Sequence, residues 1–388
     1  MYALLLALIY LAFISLGLPD SLLGAAWPIM HQSFDVPLSQ VGLVTMTISA
    51  STILSSLLSE RMTKKFGTGV VTVGSVFLTA VALLGFSFTR SFWMLILWAI
   101  PYGFGAGAID AAMNNYVALH YNSRHMSWLH CFWGVGALIS PYVMSYALTY
   151  ATWPVGYQVV GIAQTVIGLL LLISLPMWRI HKRPEEEGED TKLLGLRGAL
   201  SIRGVLPLVL GFFCYCSAET TCMFWSCSYL VEVRAFSEET AAALASLFYI
   251  GMTAGRFLSG FIADRVGDKG MIRYGTGLAI LGFLLIFLPV PSSGFALAGF
   301  LMAGLGCAPI YPSIIHTTPV CFGAKNSQAI IGIQMAFAYM GNTFMSPLFG
   351  LLAEHIAMEL LPVYLLMFFG LMTFFLEKTY KICRPNAC

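Results

Sequence analysis

An all-α integral membrane protein, with twelve transmembrane helices in two pseudo-symmetric six-helix bundles, is the fold this sequence predicts. Three observations predict it: a composition too apolar for water, apolar runs of bilayer length at regular intervals, and an echo of the first half in the second. Of 388 residues, 58% are hydrophobic and 10% charged, whereas soluble domains carry about 25% charged residues. That excludes a soluble globular protein. The formal charge of +2, from 20 Lys and Arg against 18 Asp and Glu, with no basic stripe, excludes a nucleic-acid binder. The partner for most of the chain is the lipid bilayer.

A crossing needs about 20 apolar residues, and charges, prolines and glycines mark where one ends. The runs fall near residues 3–30, 40–58, 70–89, 92–119, 127–149, 154–177, 204–231, 240–262, 272–289, 294–316, 327–351 and 360–377. The first run has no basic start and no small-residue cleavage site, so it reads as a retained helix and not a signal peptide. Cytoplasmic loops accumulate Lys and Arg. With both termini inside, the external loops hold only Arg90 and Arg234, which predicts a multi-pass protein of the inner (plasma) membrane with cytoplasmic termini. The longest loop carries Arg179, Lys182, Arg183, the acids Glu185, Glu186, Glu187, Glu189 and Asp190, then Lys192, Arg197 and Arg203. It reads as a solvated linker, 179–203, between bundles at 1–178 and 204–388.

Duplication is a common way to build a transporter. Placing Glu60-Arg61 on Asp264-Arg265 also puts Lys65 on Lys269, Ser55 on Ser259 and Ala50 on Ala254, an offset of 204. Ser140-Pro141 matches Ser346-Pro347 at 206, and Gly105-x-Gly107 resembles Gly304-x-Gly306. The alternative is chance recurrence of residues common in membrane helices.

Within that repeat, Gly260-Phe-Ile-Ala-Asp264-Arg265-Val-Gly267-Asp-Lys269 resembles the loop signature of the major facilitator superfamily, and Ser56 to Lys65 looks like a degraded copy. Glycine permits close approach and a tight turn, and an Asp-Arg pair at a helix end can hold one conformational state. Gly260, Asp264, Arg265, Gly267 and Lys269 are therefore expected to gate conformation. Positive-inside charges alone would explain the Lys and Arg but not the glycine spacing.

Three acids stand deep in apolar spans: Asp20 in the first, Asp110 in the fourth and Glu219 in the seventh. Intramembrane ionisable residues mark functional paths or buried pairs by default. No Lys or Arg is expected at comparable depth, with Arg256 placed toward the cytoplasmic end of the eighth span. Low dielectric without a fixed cation favours a protonated carboxyl, as a proton carrier requires. The alternative for any one of them is a protonated acid bonded between helices. Asn114 follows Asp110 by one turn, with Asn115 next; acid and amide together can bind hydroxyls, or the amides can simply bond between helices.

A narrower resemblance rests on Gly103-Phe-Gly105-Ala-Gly107-Ala-Ile-Asp110-Ala-Ala-Met-Asn114-Asn115-Tyr116-Val117, and on Trp128-Leu-His130-Cys-Phe132-Trp133-Gly134-Val-Gly136-Ala137-Leu-Ile-Ser-Pro141. These are similar to the fucose:proton symporter family, which includes glucose/mannose permeases. Tyr215-x-x-x-Glu219 and Ile310-Tyr311-Pro312 resemble family positions too. The resemblance implies the major facilitator fold, with the first, fourth and seventh spans lining a cavity. It also implies that Asp20 and Asp110 are proton-coupling or substrate-binding acids and Glu219 a cavity acid. Asp110 stands where Glu is usual, and Asn115 replaces a proline; sodium stays open as the coupling ion.

A sugar site needs amides for hydroxyls and aromatics for the apolar ring face. Trp133, Gln334, Tyr339 and Asn342 supply both, with packing as the alternative for Trp133. His130 and His316 read as polar packing or as proton relays. The nine cysteines form no zinc cage and call for no disulfide. No phosphate loop points to ATP, and no hydrolase pattern appears, so neither enzyme activity, cofactor nor metal is expected. The reading is a monomeric secondary transporter importing a hexose or related polyol with a proton. A proton-driven exporter is the alternative, though Ser140-Pro141-Tyr-Val-Met-Ser145 lacks the glycines of that group; a nutrient sensor would be expected to add a signalling tail.

Overall fold

Proline and glycine divide the apolar stretches where the sequence predicts, and in two places where they break a helix inside a span. The structure, a computed structural model, describes residues 2–180, 193–288 and 293–383. The first span is split into α1 (Tyr2–Gly17) and α2 (Leu22–Ser33). The next five are α3 (Val41–Phe66), α4 (Thr68–Ser87), α5 (Phe92–His120), α6 (Ser123–Tyr150) and α7 (Trp153–Ile173). Short helices α8 (Leu175–Ile180) and α9 (Gly195–Ser201) flank the expected linker, whose Lys182, Arg183, acidic run and Lys192 lie outside the described residues. Then come α10 (Val205–Glu232), α11 (Glu238–Val266), α12 (Asp268–Phe287), the split tenth span α13 (Ser293–Cys307) and α14 (Ile310–Phe322), α15 (Ala324–His355) and α16 (Leu361–Cys383).

Among the described residues, eleven stretches are long and apolar enough to cross a membrane. The twelfth crossing, α15, has 32 residues and is diluted by Lys325, Asn326, Gln328, Gln334 and Asn342, so its composition marks it less clearly than its length. The fold is thus all-helical with twelve crossings, and there is no strand among the described residues.

Contacts divide the chain into two units: residues 1–116 with 132–195, and residues 117–131 with 196–388. In unit 1, α4 packs along α7, and Trp27, Phe86, Phe92, Trp153 and Tyr157 fill a buried cluster. In unit 2, α13 packs along α11 and α12, while α10 packs along α15 and α16. The tip of the α5–α6 hairpin belongs to unit 2.

Each unit contains the same three-helix arrangement. A Cβ on Gly103 would collide with the Ile48 carbonyl of α3, and one on Gly105 with Ser75 and Thr79 of α4. In unit 2, Gly304 stands in the same relation to Phe248 of α11, and Gly306 to Gly275 and Ala279 of α12. The turns agree as well: Gly67 (φ 81, ψ 154) and Gly267 (φ 73, ψ 155) occupy a conformation that favours glycine, and their N–H groups donate to Thr63 O and Ala263 O, both at 2.8 Å.

The duplication therefore runs in a register of 200 to 201, not 204, and Gly304-x-Gly306 pairs with Gly103-x-Gly105, not with Gly105-x-Gly107. The acid-Arg dipeptides misled because they sit in different turns. Asp264 falls in the last turn of α11, whereas Glu60 lies one turn earlier in α3, at the place where unit 2 has Gly260. There Glu60 is buried and accepts from Lys64 (2.8 Å) and from the backbone N–H groups of Leu194 (2.8 Å) and Gly195 (3.0 Å). The carboxylate clasps the chain where the linker ends.

Candidate functional site

Both broken spans hinge on a proline. Pro19 has no N–H for the Ser15 carbonyl, its partner one turn back. Gln164 of α7 supplies the missing donor, Nε2 to Ser15 O at 2.5 Å, while its own Oε1 faces the Thr79 hydroxyl at 2.7 Å. In the tenth span, where Ala308-Pro309 separates α13 from α14, the Tyr215 hydroxyl donates to Cys307 O at 2.8 Å. Each break is held by a side chain from another helix, as buried carbonyls in a membrane require.

The first break presents Asp20. Its carboxylate accepts from Trp133 Nε1 at 2.9 Å and from the Tyr102 hydroxyl at 3.1 Å. Asp20 is exposed, Trp133 half-buried and Tyr102 buried, so the acid is held from behind and open in front. Close packing fixes the geometry. A Cβ on Gly17 would strike the Trp133 carbonyl, and one on Gly136 the Ile14 carbonyl, so α1 and α6 touch backbone to backbone. A cavity of roughly 10 Å³, lined in part by Ser15, Pro19, Thr79, Tyr102 and Gln164, lies behind the break.

Asp110 does not join this site. It is buried, and Asn114 Nδ2 donates to its Oδ1 at 2.8 Å and to its backbone oxygen at 3.0 Å, so the amide meant for a ligand is occupied by its neighbour. Asn115 is buried as well.

In unit 2 the expectation that no cation reaches the acids fails for Glu219. Arg256 Nη2 lies 3.4 Å from Glu219 Oε1, and both residues are buried. Arg256 stands just past the midpoint of α11 and not at its end, so its charge lies at the depth of the acid. Asn342 Oδ1 accepts from Thr220, beside Glu219, at 2.8 Å. Gln334 is fully buried and accepts from Thr318 at 2.9 Å, joining α15 to α14. Tyr339 is half-buried. Tyr311 gathers an aromatic cluster, with Phe212 at 4.7 Å and His130 at 4.8 Å between ring centres.

The signature loop binds the hairpin tip of its own unit. Asp264 accepts from the Arg124 backbone N–H at 3.1 Å and from its guanidinium. The Trp128 indole lies over Gly260, donating to Phe257 O at 3.2 Å. Gly267 makes the turn, Lys269 sits over the Tyr380 ring at 5.3 Å, and Arg265 is exposed.

Sequence reasoning missed Tyr102, Gln164, Arg256 and Arg124. Arg256 carried a usable signal, as an arginine deep inside an apolar run. Tyr102 and Gln164 carried none, because their roles come from contact with residues far away in the chain.

Twelve crossings, two broken spans and a propped acid at one break define a membrane carrier of the secondary-transporter class. A profile of the Major Facilitator Superfamily matches residues 9–318 and 208–381. The chain belongs to that family. It is 22% identical over 384 residues to Bypass of stop codon protein 6 of Saccharomyces cerevisiae, covering 90% of this chain and 77% of that one. Against the glucose/mannose transporter GlcP of Bacillus subtilis it is 21% identical over 350 residues, covering 88% and 86%. Against the fosmidomycin resistance protein of Escherichia coli the figures are 21% over 370 residues, 92% and 88%. The crystal structure of the E. coli fucose:proton symporter FucP superimposes with a TM-score of 0.72 at 18% identity, covering 96% of this chain and 99% of that one. That likeness establishes the fold.

Proposed function

We propose that this protein imports a hexose or related sugar together with a proton. The two bundles, 1–178 and 204–388, would alternate access across the plasma membrane, with the linker 179–203 and both termini cytoplasmic. The observation that carries the reading is Asp20 at the helix break, gripped by Tyr102 and Trp133. An ionised carboxylate accepts from both donors; a protonated one becomes a donor itself and holds the indole N–H less strongly. Trp133 also has the flat face on which a sugar ring stacks. One hydrogen bond would then link the charge of Asp20 to the platform for the sugar.

Protonation from outside removes a charge and favours sugar binding; deprotonation inside releases it. A membrane potential helps inward movement of the added charge by about 2.3 kcal/mol per 100 mV. In this scheme Asp110 and Asn114 would reach a ligand only by giving up the hydrogen bond between them; Asn115, Asn342 and Tyr339 stay candidate contacts. For Glu219 the scheme changes: its proton would have to displace Arg256. Gln334 could meet a ligand only where α14 and α15 part.

Proteoliposome uptake of labelled hexoses under an inward pH gradient tests the reading. Asp20→Asn should abolish gradient-driven uptake while leaving counterflow, and Trp133→Phe should raise the half-saturating concentration by about tenfold or more, the cost of one charge-assisted hydrogen bond. Uptake indifferent to the gradient, or undiminished in Asp20→Asn, refutes proton coupling at this site; a sodium requirement would show in the same assay. The second reading, proton-driven export, is favoured by the resemblance to a resistance protein, and extrusion of amphipathic compounds with no response to sugars would support it.

A further inference from the structure

His316 stands outside that scheme. Its Nδ1 lies 2.7 Å from Asp268 Oδ2, and its Nε2 lies 3.1 Å from the backbone oxygen of Tyr121. Both neighbours are acceptors. A neutral imidazole has one N–H and one lone pair, so it can satisfy one of them only by turning a lone pair on the other. The imidazolium donates to both. Asp268, the first residue of α12, also accepts from the hydroxyl of Ser123, the first residue of α6, at 2.5 Å. One ring and one carboxylate thus tie three elements of unit 2 together: α14, α12 and the turn between α5 and α6.

We propose that His316 is a proton-binding site in its own right, distinct from Asp20, and that its protonation latches the 117–131 hairpin tip onto α12 and α14. The surroundings are suited to a cation. Asp268 is in direct contact and Asp264 is within electrostatic range. The nearby positive charges are already engaged, Arg124 with Asp264 and Lys269 over Tyr380. The other titratable groups close by are Cys321 and Tyr380, which face Asp268 from α14 and α16, and His125, whose ring packs on Tyr121 at 5.6 Å. The proton comes from water on the side that the Lys and Arg count assigns to the cytoplasm. Acidification there closes the latch; alkalinisation removes one of its two bonds and sets acceptor against acceptor. In a transport cycle the latch would keep that side shut while protons are plentiful inside.

Hydrogen exchange of the purified full-length protein, followed by mass spectrometry on peptides spanning 117–128, reads the latch without any substrate. After correction for the intrinsic rate, wild type should be more protected at pH 6 than at pH 8, by up to about tenfold if latched and open forms differ tenfold in proton affinity. His316→Gln, which offers one donor and no titration, should show the same protection at both pH values. Asp268→Asn, which removes the charged acceptor and keeps the histidine, should flatten the response too, whereas His125→Gln should keep it. A wild type equally protected at both pH values overturns the proposal without any variant. So does a pH response that survives in His316→Gln or disappears in His125→Gln. Failure of Asp20 as the coupling acid would leave all these outcomes unchanged.

Discussion

Replacing Gln164 with Leu isolates what holds the first break open. The two side chains are similar in volume, and Gln164 is buried, so the change leaves little cavity and acts through hydrogen bonds. Two contacts are lost, but their costs differ. The Thr79 hydroxyl has a second acceptor, Val76 O at 2.9 Å, and turns to it. The Ser15 carbonyl has none in its own helix, since its usual donor is Pro19, so it becomes a buried unsatisfied acceptor at about 1–3 kcal/mol. Measured side-chain hydrogen bonds in membranes average nearer 0.6 kcal/mol, which places the expected loss toward the lower end, about 1 kcal/mol. Thermal unfolding of the purified protein should show a fall of a few degrees, and uptake should weaken because Asp20 loses its fixed position. Gln164→Glu should be worse than Gln164→Leu at neutral pH, because an ionised carboxylate would face the Ser15 carbonyl, and it should recover on acidification as the acid regains a proton to donate. Wild-type stability and uptake in Gln164→Leu would refute the idea that the prop matters.

Two further substitutions probe different terms. Arg256→Ala strands the Glu219 carboxylate, and with side chains only 7% and 11% exposed the cost should approach the 3–5 kcal/mol of a broken buried pair. The double variant Arg256→Ala/Glu219→Gln should regain most of it in the same unfolding measurement, and a double variant as unstable as the single would contradict the pairing. Gly267→Ala places a Cβ at φ 73, ψ 155 and should lose about 1–3 kcal/mol, whereas Gly74→Ala, mid-helix with nothing near the new Cβ, should be neutral or gain up to about 1 kcal/mol.

Apolar length carries the twelve crossings, so the sequence predicts them well. Even polar α15 is found, because glycine, proline and charge bound it. What periodicity does not carry is register between repeats. Matching Glu60-Arg61 to Asp264-Arg265 is chemically appealing, yet backbone packing at Gly103 and Gly304 sets the alignment, and it slips the acids by a turn. Pro19 and Pro309 are visible in the sequence, but a proline within a span can kink a helix or break it, and which happens depends on Gln164 and Tyr215 arriving from elsewhere. Asp20 and Trp133 stand out singly as an acid within an apolar span and an aromatic; that they share a hydrogen bond follows only from α1 meeting α6 at Gly17 and Gly136. Arg256 shows the converse error, a charge near the middle of α11 placed toward the end of its span.

The clasp at Glu60 has an evolutionary corollary. What it grips is main chain: the N–H groups of residues 194 and 195 look alike whatever side chains accompany them, proline excepted. Substitutions at residue 194 should accumulate freely while the carboxylate stays, whereas Gly195, at φ 62, is held to glycine by its own backbone. A comparison of relatives restricted to side-chain partners would find only Lys64 for Glu60, and would miss the main-chain contact that holds the end of the linker.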